Sequence, residues 1–283
     1  MGALPRSLVR HHAGSGTRVM LCAMVTTLGC CPCLVSGDGP PLVFLAGLLP
    51  KAGVASWQKM HAAAAAPYTV RRRVYYLNRR PDLPPGITFA QLATEHAQAI
   101  RASFDGPVDL LGLSTGGSIA QQVAADHPDV VRRLALLSTG YRLSDRTRAQ
   151  MRRIAARIRA GAPRRAMGLA AAEMVPEGPW QLPAALAAAA ISRPALSDND
   201  LADLATTIEA EDNFDLRACA APIQAATLVI SGGRDRFYPM TLIEQTTALI
   251  PSSRMVLEPE HGHMTVTGVP AVHEAILDHL DGG

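Results

Sequence analysis

A chain of 283 residues, 48% hydrophobic and 18% charged, has apolar material enough for one large domain or for a core domain carrying an insertion. Its net charge of +3 rests almost wholly on arginine, Lys51 and Lys59 being the only lysines. The acids are interspersed with the bases, which argues against a nucleic-acid partner, since that needs base gathered on one face. Cys22, Cys30, Cys31, Cys33 and the remote Cys219 form no disulfide framework for this length, and no zinc spacing even beside His11 and His12.

The first residues carry two readings. Arg6, Arg10 and Arg18 precede an apolar run from Val19 to Val25, which has the pattern of a short signal segment, and Thr27-Leu28-Gly29-Cys30 is an imperfect lipoprotein cleavage box. The preferred reading is an extension over 1–36 holding the first strands of a cytoplasmic protein, with export as the alternative. No uninterrupted run of about 18 apolar residues occurs, so no membrane-spanning helix is expected.

From Gly37 the elements alternate. Pro41 to Leu45 is a short apolar run between Gly/Pro signals and reads as a buried strand, followed by the loop Ala46-Gly47-Leu48-Leu49-Pro50. Val54 to about Ala65 reads as a helix with Trp57 facing inward, and Val74 to Leu77 as the next strand. Thr88 and Gln91 form a capping box for a helix whose Phe89, Leu92, His96 and Ile100 share one face. Val108 to Leu113 is a strand, Thr115 to Asp126 a helix ended by His127-Pro128, and Val131 to Leu137 a strand. The pattern then breaks into Ala- and Arg-rich helical segments at roughly 145–160, 163–174, 181–192 and 198–210. Arg152, Arg153, Arg157 and Arg159 around the first of these read as a solvated face. Strand and helix alternation resumes at Ala226 to Ile230 and closes with a helix over Ala271 to Leu280, where His273 and His279 look solvated.

Such alternation predicts an α/β fold with a mostly parallel central sheet flanked by helices and an inserted helical cap. The expected organisation is a first core part over 37–140, a cap over 141–216 and a second core part over 217–283. In sheets of this kind ligands bind outside the carboxyl ends of the strands.

One of those ends carries Gly112-Leu113-Ser114-Thr115-Gly116-Gly117, a G-x-S-x-G motif between a predicted strand and a predicted helix. A serine there is held above the sheet on a tight turn, flanked by glycines that remove clashing side chains, at a helix N-terminus that favours negative charge. Serine also needs a base, and that base needs an orienting acid. Asp235 follows a strand through Gly232-Gly233, and His263 follows the strand Met255-Val256-Leu257. His261 competes with His263, which is preferred because Gly262 precedes it and permits close backbone approach; Asp145 is the rival acid. His96 and His127 read as structural.

On Pro41–Leu49, Asp109–Leu137, Thr227–Pro239 and Glu260–Met264 the chain resembles the α/β-hydrolase superfamily, in particular its small capped serine esterases and cofactor-free haloperoxidase-like members. The resemblance implies a triad of Ser114, Asp235 and His263, with the backbone amides of Leu48 and Thr115 as oxyanion donors. It implies a small-molecule substrate and neither cofactor nor metal, and leaves the oligomeric state open. Dehalogenases and epoxide hydrolases of this fold carry aspartate where Ser114 stands. Ester, lactone and carbon–carbon bond hydrolysis and perhydrolysis all use the serine triad, so the expectation is an ester or related acyl bond in a small-to-medium, mainly apolar substrate. A non-catalytic ligand-binding protein on the same scaffold is the alternative from another class. Trp57 and Met264 are candidate pocket residues. One departure concerns the oxyanion loop: the family often has His-Gly where this chain has Ala46-Gly47, so that loop lacks its usual support. Another is Ala226, which stands where the family often has proline before the strand leading to the acid.

Overall fold

Strands that are apolar at every position must be covered on both faces, and the side chains here divide accordingly. In the computed structural model, which describes residues 23–174, 179–219 and 221–283, an eight-stranded sheet runs through the protein. Its strands are β1 (Met24–Leu28), β2 (Cys31–Ser36), β3 (Pro41–Leu45), β4 (Arg73–Leu77), β5 (Val108–Leu113), β6 (Val131–Leu137), β7 (Ala226–Gly232) and β8 (Ser253–Glu258). Their spatial order is β1-β2-β4-β3-β5-β6-β7-β8, antiparallel across β1-β2 and β2-β4 and parallel elsewhere. Val43, Leu110, Leu134 and Val229 enter one core layer, and their neighbours Leu42, Leu111, Ala135 and Leu228 enter the other, as a period of two requires.

The first layer is roofed by α2 (Phe89–Ser103), α3 (Thr115–Asp126) and α8 (Met240–Leu249), the second by α1 (Gln58–Ala65) and α9 (Pro270–Asp281). The Thr88–Gln91 capping box is formed in full at the start of α2. Between β6 and β7 run α4 (Asp145–Arg159), α5 (Pro163–Met174), α6 (Gln181–Ala195) and α7 (Asp198–Asp212). Ile154, Ile158, Met167, Leu201, Leu204 and Ile208 make a separate apolar cluster among them. No helix of the described residues is long and apolar enough to cross a membrane.

Residues 24–36 form the antiparallel pair β1-β2, within the stretch expected to hold the first strands; the arginines and most of the apolar run of the signal-like reading, with Cys22, His11 and His12, lie outside the described residues. Other expectations are corrected. Helix α1 starts at Gln58 rather than Val54, because Trp57 takes a left-handed conformation (φ 59°) as its N-cap, and the indole is 40% exposed instead of facing inward. His279 is buried, not solvated: its Nε2 lies 3.1 Å from the Leu134 carbonyl and 3.2 Å from that of Ala226, so the ring ties α9 to β6 and β7. His273 is half-buried against the Tyr68 hydroxyl.

Burial holds His61, His96, His273 and His279 below the usual imidazole range. An imidazole held low in the native state binds its proton more readily once unfolded. Its stabilising contribution is therefore complete above the unfolded value of about 6.5 and is lost as pH falls below it. Melting temperature is expected to fall between pH 7.5 and 5.5, and His279→Gln, which keeps a donor for the two carbonyls, to flatten that fall. An unchanged slope in the variant, measured by thermal melts across the range, would count against the assignment.

Candidate active site

The turn after β5 is built by contacts that exclude side chains. A Cβ on Gly112 would stand 2.5 Å from Gly117 Cα, and one on Gly116 would stand 2.2 Å from the Leu45 carbonyl oxygen. Helix α3 can therefore pass this close to β3 and β5 only on glycine. The chain enters it through Ser114 at φ 51° and ψ −121°, a conformation that costs on the order of 1–3 kcal/mol. Ser114 is anchored by its amide on the Leu137 carbonyl, while its own carbonyl accepts from the Gly117 and Ser118 amides.

Two further loops at the same sheet edge converge on it. His263 Nε2 lies 3.0 Å from Ser114 Oγ, and His263 Nδ1 lies 2.8 Å from Asp235 Oδ2. The other oxygen of Asp235 accepts from the Phe237 and Tyr238 amides at 2.8 and 3.1 Å. With Nδ1 donating to the carboxylate, Nε2 is left to accept the serine proton. The Phe237 and Tyr238 rings pack on the imidazole at centroid distances of 4.6 and 5.9 Å, and Ser138 Oγ donates to the His263 carbonyl at 3.1 Å. The rivals fall elsewhere. His261 Nδ1 faces Glu258 at 3.8 Å, and Asp145 is an exposed partner of Arg142. The close backbone approach expected at Gly262 occurs instead at Gly232 and Gly233, where a Cβ would meet the carbonyl oxygens of His261 at 2.2 Å and Pro259 at 2.7 Å.

The loop after β3 runs beside the same serine: a Cβ on Gly47 would stand 3.5 Å from that of Ser114. Neither the Leu48 nor the Thr115 amide meets a backbone acceptor among the described residues. The Thr115 N–H, at a helix N-terminus beside Ser114, is suited to a developing negative charge.

A family model described as the alpha/beta hydrolase fold matches residues 40–267. The chain belongs to the α/β-hydrolase fold family. It is 30% identical over 262 residues to the polyketide synthase ThaQ of Burkholderia thailandensis, a match covering 88% of this chain and 12% of the synthase, so the chain spans about an eighth of that relative. It is 28% identical over 206 residues to the putative carbamate hydrolase RutD of Klebsiella pneumoniae, covering 70% of this chain and 75% of that one. The structure of a hydrolase from Pseudomonas aeruginosa superposes with a TM-score of 0.67 at 26% identity, covering 94% of this chain and all of the other.

Within this α/β-hydrolase chain, side chains that the sequence reading passed over hold the far end of the loop after β3. The buried Arg79, just past β4, donates to the carbonyls of Leu49 and of Pro50, the latter at 3.0 Å. Asn78 Nδ2 donates to those of Lys51 and Gly53, both at 2.8 Å. Burial pulls the Arg79 guanidinium down to about 10, so it is still charged at neutral pH. Their signal was a polar pair at the carboxyl end of a strand, where this fold keeps its site. A third such residue is Glu211 of α7, a buried carboxyl that accepts from Thr115 Oγ1 at 2.7 Å; burial pushes it above the usual carboxylate range.

Of the candidate pocket residues, Met264 follows His263 and is 52% exposed, and Trp57 stands at the start of α1. A cavity of about 670 Å³ opens among α4, α5 and α7, lined by Ile158, Arg159, Pro163, Leu196 and Leu201 among others, and by no residue of the Ser114 constellation. We place the candidate site at the serine, where polar groups converge, rather than at this cavity, which offers volume without a proton path.

Gly116→Ala is expected to destabilise the protein by about 1–3 kcal/mol, because the added methyl meets backbone that cannot swing aside. Gly268→Ala, with open space around it, should stay within about 0.5 kcal/mol. Denaturant unfolding of both variants checks the contrast; equal stabilities would contradict the packing account.

Proposed function

We propose that the chain is a serine hydrolase that cleaves an ester or related acyl bond through an acyl-enzyme. Ser114 is the nucleophile, His263 the general base and Asp235 the acid that fixes its tautomer. The observation that carries this reading is the unbroken relay from Ser114 Oγ through both imidazole nitrogens to Asp235, at 3.0 and 2.8 Å.

In this reading Ser114 Oγ attacks the acyl carbon as His263 Nε2 takes its proton. Asp235 stabilises the imidazolium without itself being protonated. The carbonyl oxygen becomes an oxyanion between the Thr115 and Leu48 amides, and loss of one such donor typically costs about 10²–10³ in rate. His263 then protonates the leaving group, and water, activated by the same nitrogen, releases the acid.

Helices α4 to α7 serve as the cap. Leu48 packs against their apolar cluster, and this apolar roof beside an oxyanion donor supports a small-to-medium, mainly apolar acyl group.

A fluorophosphonate probe is expected to label the protein on Ser114. Ser114→Ala should lose labelling and reduce p-nitrophenyl ester turnover by at least about 10³-fold, with melting temperature little changed. Full activity in that variant would refute the assignment. Comparing acyl chain lengths, with lactones in the same panel, then locates the substrate class.

A further inference from the structure

Buried carboxyls that serve only packing are poor value, since an apolar residue of similar volume often stabilises as well. Glu211, 2% exposed, is nevertheless held by three hydroxyls from two segments of the site. Thr115 Oγ1 donates to its Oε2 at 2.7 Å. Ser118 Oγ donates to Oε1 at 3.1 Å, and the Tyr238 hydroxyl reaches the same oxygen at 3.3 Å.

The spacing of these partners matters. Thr115 and Ser118 are three residues apart, one turn of α3, so the carboxyl bridges the first turn of the helix that begins at the serine. Threonine is stiff at χ1, and fixing its Oγ1 restricts the backbone that carries its amide. Tyr238 closes the link on the other side: its own amide donates to Asp235, and its ring stacks on His263. One side chain of α7 thus touches the segments that carry the nucleophile and the acid without contacting either reacting group.

We propose that Glu211 is a positioning residue, which holds the Thr115 amide where the oxyanion forms and thereby makes the docking of α7 a condition of full activity. This rests on the serine-hydrolase reading above. Oxyanion donors must lie within a few tenths of an ångström of the developing charge, so a donor left free to tilt loses rate rather than substrate affinity.

The test compares Thr115→Val, Thr115→Ser, Glu211→Gln and Glu211→Ala with the wild type on a p-nitrophenyl ester, with rates normalised to the fraction of Ser114 that a fluorophosphonate probe titrates. Thr115→Val is expected to lower kcat about 10- to 100-fold with KM within about threefold, a part of the loss of a whole donor. Thr115→Ser, which keeps the hydroxyl, should regain most of the kcat that Thr115→Val loses. Glu211→Gln keeps one acceptor oxygen and should fall between wild type and Glu211→Ala. The Thr115→Val/Glu211→Ala double variant should be no slower than the worse single one, because both remove one interaction.

A merely structural role would lower melting temperature and leave normalised kcat alone. If Glu211→Ala does not fold, the Thr115 pair with Glu211→Gln decides. Wild-type turnover that depends on Ser114, combined with unchanged kcat in Thr115→Val and Glu211→Gln, overturns this inference alone. Absence of Ser114-dependent turnover in the wild type overturns the hydrolase reading and this inference with it.

Discussion

The closeness of α3 to the strands beneath it is the constraint from which the rest of the site follows. A helix that packs with its first turn against the carbonyl oxygens of Leu45 and Ala46 leaves no volume for a side chain at Gly116, and its contact with Gly112 leaves none there. The chain between them has a single way to turn, through the strained backbone of Ser114. That turn lifts the hydroxyl clear of the sheet and leaves the Thr115 amide behind it with no backbone acceptor among the described residues. The strain is offset by packing distributed over β3, β5 and α3, so the serine geometry is a property of the core rather than of the loop.

Parallel register then does the work of convergence. Strands β5, β7 and β8 run in the same direction, so the loops after them emerge at one edge although 149 residues separate Ser114 from His263. The loop after β7 is itself pressed against the loop after β8, with Gly232 and Gly233 in contact with the carbonyls of His261 and Pro259. Asp235 and His263 are therefore fixed to each other before either is related to the serine. An imidazole so held needs little reorganisation if its charge changes, the condition under which electrostatic stabilisation is most effective.

These relationships were legible in the sequence to unequal degrees. The alternation of elements was, because strands buried on both faces are written as unbroken apolar runs and amphipathic helices as a 3.6-residue repeat. Ser114 was, because its glycines are neighbours in the chain, and Asp235 and His263 were, because chain order in this fold orders the residues. Arg79 and Glu211 were not. Their partners are 30 and 96 residues away; an arginine's place at the carboxyl end of a strand does not reveal which carbonyls it holds, and nothing local distinguishes a glutamate in the run Glu209-Ala210-Glu211-Asp212 from a solvated charge. The same blindness misplaced His279, whose acceptors lie on two distant strands, and placed the close glycine contact at Gly262 when it is made at the end of the neighbouring strand. Trp57 failed for another reason. An aromatic next to an apolar helix reads as an inward anchor, but a left-handed N-cap turned it outward.

Helix α7 shows how one element joins the cluster above the sheet to the core layer beneath it. Its Leu201, Leu204, Ala205 and Ile208 follow helical spacing and face α4 and α5. A second, adjoining face is polar and buried: Asp203, Thr207 and Glu211 recur every four residues. Asp203 accepts from the Asp82 and Leu83 amides at 2.9 and 2.8 Å, in the loop that follows Asn78 and Arg79, while Glu211 holds the first turn of α3. Apolar contacts are non-directional and tolerate sliding; hydrogen bonds between buried groups do not, because a displaced partner leaves an unsatisfied polar atom costing about 1–3 kcal/mol. The helix is thus free to adjust on its apolar side and fixed on its polar side. Its fixed side ends at the loop after β4 and at the first turn of α3, so the placing of the Thr115 amide is set jointly by the sheet and by the helix above it.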